Sequence, residues 1–379
     1  MIHTKPTLAL TAFLGLTALA MAGDIPLDPT APYQGVRSSP VTYKVDFAAI
    51  VTPPYKCKTL KIWLPIPPSD SIQTVSASLL SSFPLNVEPK RGRERLYGNE
   101  FAYFEFHEPH GAQMVRHQFT IKTHDVHWNL DPDKVAPVAS WPASFSPYLR
   151  SEELVPVDER FKKVAADIVP QPKSPTRDFA RIFDWVNANL AYSHKDCSLQ
   201  GSAVHALEKR GGHCSDYHGL CTSFGRSLGY PSRIVYGINP YPKNSPSHCK
   251  LEVFLPGHGW VCYDVSETQQ MIARIRKNEA LSDARKDELT AAAKKRLVSG
   301  FRDRTWFLQT RGSGYDLDPP AKNKVAVVRT IYAEADGVPY PEPDPANPGM
   351  HPLSWMTMHR YEADQPVTNP FQDERSLAK

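Results

Sequence analysis

The sequence predicts an α+β protein: a β-sandwich followed by a mixed core, in which a helix carrying a cysteine precedes two strands carrying a histidine and an aspartate. Three observations lead there. Between Val41 and Trp128, apolar residues alternate with polar ones in short runs separated by turn residues. From Val157 to Leu190 the apolar spacing becomes helical. The stretch Gly211 to Asp264 then sets Gly-Gly-His-Cys before a helix, His248 on a strand, and Gly-Trp-Val-Cys-Tyr-Asp on the next. The expected division is a leader at 1–22, a sandwich at 23–135, the core at 136–335 and a Pro-rich, extended tail at 336–379.

A chain of 379 residues has room for two domains of roughly 150 residues each. Its 36 prolines are about twice the ordinary share of ~5%, which favours loops and short strands. The net charge of +4, from 44 basic and 40 acidic residues, comes with no basic cluster interleaved with aromatics, so nucleic acid is not an expected partner. Leu8 to Ala20 is an apolar run behind Lys5, and Ala20-Met21-Ala22 suits cleavage before Gly23. That run is short of the about 20 residues of a membrane span. A secreted or periplasmic protein without a stable membrane anchor after cleavage is expected.

The sandwich strands are read from alternation. Val41, Tyr43, Val45 and Phe47 share one face, as do Leu60, Ile62, Leu64 and Ile66, with Trp63 on the other side. Phe101–Phe106 and His117–Thr123 repeat the pattern, and Pro53-Pro54, Pro67-Pro68, Gly92 and Gly111 break it. His107 and His110 read as surface residues. Further on, Phe161, Val164, Ala165 and Ile168 fall on one helical face. Ser174 caps a second helix with Pro175 at its first position, where the missing N–H costs nothing. Val325 to Ala333 reads as a strand. Asp316 and Asp318 fall far short of a calcium loop.

Cys214 opens a helix whose buried face is Tyr217, Leu220, Cys221, Phe224 and Leu228, and Gly229-Tyr230-Pro231 ends it. A helix N-terminus favours the thiolate, the nucleophilic form of cysteine. That nucleophile needs a base. The strand Ser247–Leu255 offers His248, and the hairpin Pro256–Gly259 returns the chain so that Asp264 ends opposite it. An aspartate there holds the imidazole in its useful tautomer. Trp260 is the expected substrate-binding residue, by packing beside the site. His213 and His218 read as packing or solvent-facing residues. Cys214, His218 and Cys221, at i, i+4 and i+7, also share a helix face that could ligate zinc. Cys221 is explained by the apolar stripe alone, and neither metal nor cofactor is expected. Six cysteines leave five besides Cys214, so at least one stays unpaired. Cys249 and Cys262 are poor partners for each other by strand parity.

These motifs resemble the transglutaminase-like superfamily, a papain-like fold. The resemblance rests on Gly211-Gly212-His213-Cys214, Gly229-Tyr230-Pro231-Ser232-Arg233, His248 and Gly259-Trp260-Val261-Cys262-Tyr263-Asp264, in that order. It covers about residues 150 to 268, and the leading β domain with Trp63-Leu64-Pro65-Ile66-Pro67 is similar to that of exported bacterial members. It implies a catalytic Cys214, His248 and Asp264, and an acyl-transfer enzyme acting on protein or peptide amides by hydrolysis or transamidation. The alternative is a non-catalytic module binding a peptide or wall polymer. The backbone N–H of Cys214 is the expected oxyanion donor. The charged helical stretch from about Gln269 to Gly300 departs from the pattern and is expected to cover or flank the site.

Overall fold

A computed structural model describes residues 26–131, 134–242, 246–344 and 354–378. The expected leader and its cleavage point before Gly23 lie outside these residues. The first half of the chain forms strands β1 (Val36–Val51), β2 (Thr59–Ile66), β3 (Gln73–Phe83), β4 (Lys90–Arg93), β5 (Glu100–His107) and β6 (Gln113–His127). Helices α1 (Glu159–Ile168) and α2 (Pro175–Asn189), strand β7 (Ala191–Tyr192), helix α3 (Ala203–Lys209), strand β8 (Gly211–Gly212) and helix α4 (Cys214–Ser227) follow. Next come β9 (Ser232–Ile238), β10 (Ser247–Leu255), β11 (Gly259–Tyr263), α5 (Val265–Lys277), α6 (Asp283–Val298), β12 (Phe301–Arg302) and β13 (Phe307–Arg311). The chain closes with β14 (Tyr332–Ala335), β15 (Val338–Pro339) and β16 (Trp355–Ala363).

Two antiparallel sheets make the sandwich. One runs β12-β6-β1-β16 with β3 also on β6, and the other runs β15-β14-β2-β5-β4. The alternation works as the sequence implies. Val41, Tyr43, Val45 and Phe47 of β1 meet Leu60, Ile62 and Leu64 of β2, Phe104 and Phe106 of β5, and Phe119 and Ile121 of β6. Fully burying a large apolar side chain stabilises by about 1.5–3 kcal/mol, so this face holds the sheets together. Trp63 does point the other way. It packs on Tyr103 and Tyr332, and its indole N–H donates to the Pro319 carbonyl at 2.8 Å. β2 and β5 of the second sheet are therefore buried on both faces, one inside the sandwich and one against the core.

Three features differ from expectation. β3 hides from a search for alternation because Leu79 and Phe83 are exposed, leaving no regular buried face. The strand expected at Val325–Ala333 is confined to Tyr332–Ala335, and Val325 makes only a single bridge to Tyr315. The stretch from 336 onward is not simply an extended tail. Its residues Trp355–Ala363 form β16, which pairs with β1 in continuous register from Tyr43↔Ala363 to Val51↔Trp355.

The core is a four-stranded antiparallel sheet, β11-β10-β9-β13, with helices packed around α4. Asp158 caps α1 by accepting from the Phe161 N–H at 3.1 Å. Ser174 caps α2, accepting from the Arg177 N–H, with Pro175 first in the helix as expected. Every residue of α4 from Cys214 to Arg226 is buried. It is the central helix, touching α1, α2, α3, α5, β9 and β10. The charged stretch from Gln269 forms α5 and α6, which bury Met271 and Ile275 against Leu289 and Ala293.

Candidate active site

The approach to Cys214 is set by backbone that only glycine suits. Gly212 has φ +145°, and a Cβ there would lie 2.5 Å from Asp216 Oδ2. His213 is the N-cap, its Nδ1 accepting from the Ser215 N–H at 3.3 Å. Asp216 completes the pair, accepting from the His213 N–H at 3.1 Å and from the Ser198 N–H at 3.2 Å. This capping box locks the loop before α3 to the start of α4. Cys214 is the first helical residue, where backbone N–H groups lack intrahelical acceptors and the macrodipole favours an anion. It is 4% exposed. A hydrogen bond from the Cys249 thiol and the charge and hydrogen bond of His248 hold its thiol well below the ordinary value, overcoming burial.

β10 and β11 stay in register from Leu255↔Gly259 to Leu251↔Tyr263. Asp264 lies just past the ladder and caps α5, its Oδ1 accepting from the Glu267 N–H at 3.0 Å. Its Oδ2 accepts from His248 Nε2 at 2.7 Å. The same ring also interacts with Cys214. Burial alone would lower the His248 imidazole, but Asp264 and Cys214 push it up to about 10. Burial likewise opposes ionisation of Asp264, yet Lys250 and His248 hold its carboxyl well below the usual range. Cys214, His248 and Asp264 thus lie in one connected line, the arrangement of an imidazolium beside a thiolate.

Several contributors were not foreseen. Lys250, on the same face of β10 as His248, is 1% exposed. It bridges Asp264 Oδ2 at 2.6 Å and Asp303 Oδ2 at 2.8 Å. Strand parity could have flagged Lys250; nothing local flags Asp303, which arrives from beyond α6. Cys249 contacts Cys214 rather than Cys262, and all six cysteines are free thiols. His218 is fully buried, and burial lowers its imidazole to about 4. Kept neutral, its Nε2 accepts from the Val265 N–H at 3.1 Å and pins the residue after Asp264.

The packing of Trp260 and His218 is also defined. The Trp260 ring meets Tyr148 and Phe254. Its indole N–H donates to the Pro29 carbonyl at 2.8 Å, and the Arg233 guanidinium lies 3.8 Å over its ring. Arg233 in turn pairs with Glu252 at 2.7 Å. The tryptophan and arginine of the two motifs therefore stack on each other. Of the two readings for His218, the structure shows packing: it is buried and bonded to the Val265 N–H. Cys221 sits in the apolar core, and among the described residues no three ligating side chains are placed to hold a metal ion. The Cys214, His218, Cys221 face is thus accounted for by packing and by the hydrogen bond to Val265.

Residues 162–265 match the sequence model of the transglutaminase-like superfamily, a span that takes in Cys214, His248 and Asp264. A candidate cysteine protease of known structure from Cytophaga hutchinsonii superposes with a TM-score of 0.56 at 14% identity, over 88% of this chain and 93% of its own. That likeness is one of fold. The periplasmic domain of TgpA from Pseudomonas aeruginosa aligns over 62% of this chain and 91% of its own, at 15% identity and a TM-score of 0.33. An uncharacterised protein of Haemophilus influenzae is 22% identical over 319 residues, 75% of this chain and 83% of that protein. With a matching core sequence and a matching overall fold, the chain carries a domain of the transglutaminase-like superfamily behind a β-sandwich.

Proposed function

We propose that this protein is an exported cysteine enzyme that performs acyl transfer on peptide or protein amides. The observation that carries the reading is the line from Cys214 through His248 to Asp264, with His248 Nε2 2.7 Å from Asp264 Oδ2. The Cys214 thiolate attacks the amide carbonyl carbon. The His248 imidazolium passes its proton to the departing nitrogen, which leaves as amine or ammonia, and a thioester remains on Cys214. His248, now neutral, takes a proton from water or from an incoming amine as it attacks the thioester, and the C–S bond breaks to release the acid or new amide and return the Cys214 thiolate. Asp264 orients the ring and stabilises its cation. The Cys214 N–H at the start of α4 is the proposed oxyanion donor. Export is read from the apolar run Leu8 to Ala20 and the cleavage pattern Ala20-Met21-Ala22; among the described residues no helix is long and apolar enough to cross a membrane.

The test is mass spectrometry of peptide substrates incubated with the protein, with and without a primary amine. New termini mean proteolysis, a mass gain equal to the amine means transamidation, and glutamine turned to glutamate means deamidation. Cys214→Ala should remove all three while leaving the circular dichroism spectrum unchanged. Product formation by a folded Cys214→Ala variant would end this reading.

A further inference from the structure

We propose that Arg329 forms a carboxylate-binding subsite beside Cys214, so that the favoured acyl donor is an acidic peptide with a carboxylate near the scissile amide. The inference rests on Cys214 being the nucleophile. Arg329 comes from the stretch between the Val325 bridge and β14. That stretch runs along the site, for Ala326 and Val327 pack on the cluster that contains Cys214 and Cys249. The Arg329 side chain is enclosed, with 5% of the residue exposed. Its Nη1 donates to the Leu199 carbonyl at 2.5 Å, and Nη2 reaches the hydroxyl of Ser247, the residue before His248, at 3.5 Å. Both partners are neutral. Among the described residues its Nε has no acceptor. The guanidinium lies within electrostatic reach of Cys214, Cys249 and His213.

Two other buried arginines of the core are treated differently. Arg226 has Glu152 at 2.6 Å and Arg233 has Glu252 at 2.7 Å. Among the described residues the carboxylate paired with Arg329 is Glu342, 3.9 Å from Nη1 and beyond hydrogen-bonding distance. A buried cation left this loosely matched is costly unless an anion completes it. A guanidinium with a free Nε suits a carboxylate, which it can grip through two N–H groups. Glu342 shows that a carboxylate can come near. At 3.9 Å it makes no hydrogen bond to the guanidinium, which leaves the Arg329 N–H groups open to a donor carboxylate that takes its place.

The probes are iodoacetate and iodoacetamide, which alkylate a thiolate alike but differ in charge. Their rates at Cys214 in the full chain are followed by peptide mass spectrometry. The ratio of iodoacetate to iodoacetamide rate should fall about ten-fold in Arg329→Gln and rise in Glu342→Gln, with the iodoacetamide rates within about two-fold of wild type. If Arg329→Gln does not fold, the Glu342→Gln ratio decides alone. A ratio unmoved in the folded variants overturns the subsite while leaving Cys214 reactive. A native Cys214 that reacts with neither reagent overturns the nucleophile, and the subsite with it. N-acetylglutamic acid α-amide carries only a side-chain carboxylate and N-acetylglutamine only a terminal one. Protection of Cys214 by either, lost in Arg329→Gln, supports the subsite and says which carboxylate it takes; protection by neither counts against it.

Discussion

Asp264 receives two cations on one oxygen. His248 Nε2 stands 2.7 Å from Oδ2 and Lys250 Nζ stands 2.6 Å from it. Asp264→Asn keeps an acceptor for the ring but loses the charge beside it, whereas Asp264→Ala loses both. The pH midpoint of Cys214 alkylation by iodoacetamide should therefore rise in the order wild type, Asn, Ala. Identical profiles would remove Asp264 from the proposed mechanism. Lys250→Met should leave Asp303 buried without its cation and cost about 3–5 kcal/mol, read as a lowered urea midpoint. Adding Asp303→Asn should recover part of that loss. The sign of the pH dependence follows from the raised imidazole. The extra stability of charged His248 is full below its ordinary value of about 6.5 and is lost as pH rises towards about 10. Turnover needs the imidazolium proton and should fall above about pH 10, while alkylation of the thiolate should not.

At the scale of elements, α4 is the piece that admits least change. Gly219 faces the loop before α3, and a Cβ there would lie 2.2 Å from the Gly201 carbonyl oxygen. Gly219→Ala should push that loop from the helix and cost about 1–3 kcal/mol, seen as a lower melting temperature. The start of α4 was legible because Gly-Gly-His-Cys carries its own turn and cap. The contact at Gly219 was not, since Gly201 approaches from another part of the chain. The same divide runs through the strands. β1, β2, β5 and β6 alternate and could be read, whereas β3 exposes its apolar residues and could not. His248 and Asp264, sixteen residues apart across one hairpin, were legible for the same reason. Lys250 joins Asp264 to Asp303, and no short-range pattern announces the meeting with Asp303.

Over the whole molecule, both ends of the chain build the sandwich. β16 pairs with β1, β14 with β2 and β12 with β6. Removing residues 354–379 should lower the melting temperature and increase aggregation, because it strips a neighbour from β1 along Tyr43–Val51. Acid should loosen both parts. Burial lowers His117 in the sandwich and His218 in the core to about 4, against about 6.5 unfolded, so the stability tied to each is lost as pH falls through that window. A melting-temperature profile that stays flat from pH 6.5 to pH 4 would contradict this. The pairing of β1 with β16 also sets a clock. More than 300 residues separate the two strands, which at 5–20 residues per second is about 15–65 s of synthesis. Throughout that interval β1 has a bare edge rich in valine and aromatic side chains. A nascent chain therefore has a long window for mispairing, and any stalled product ending before residue 354 keeps that sticky edge for good.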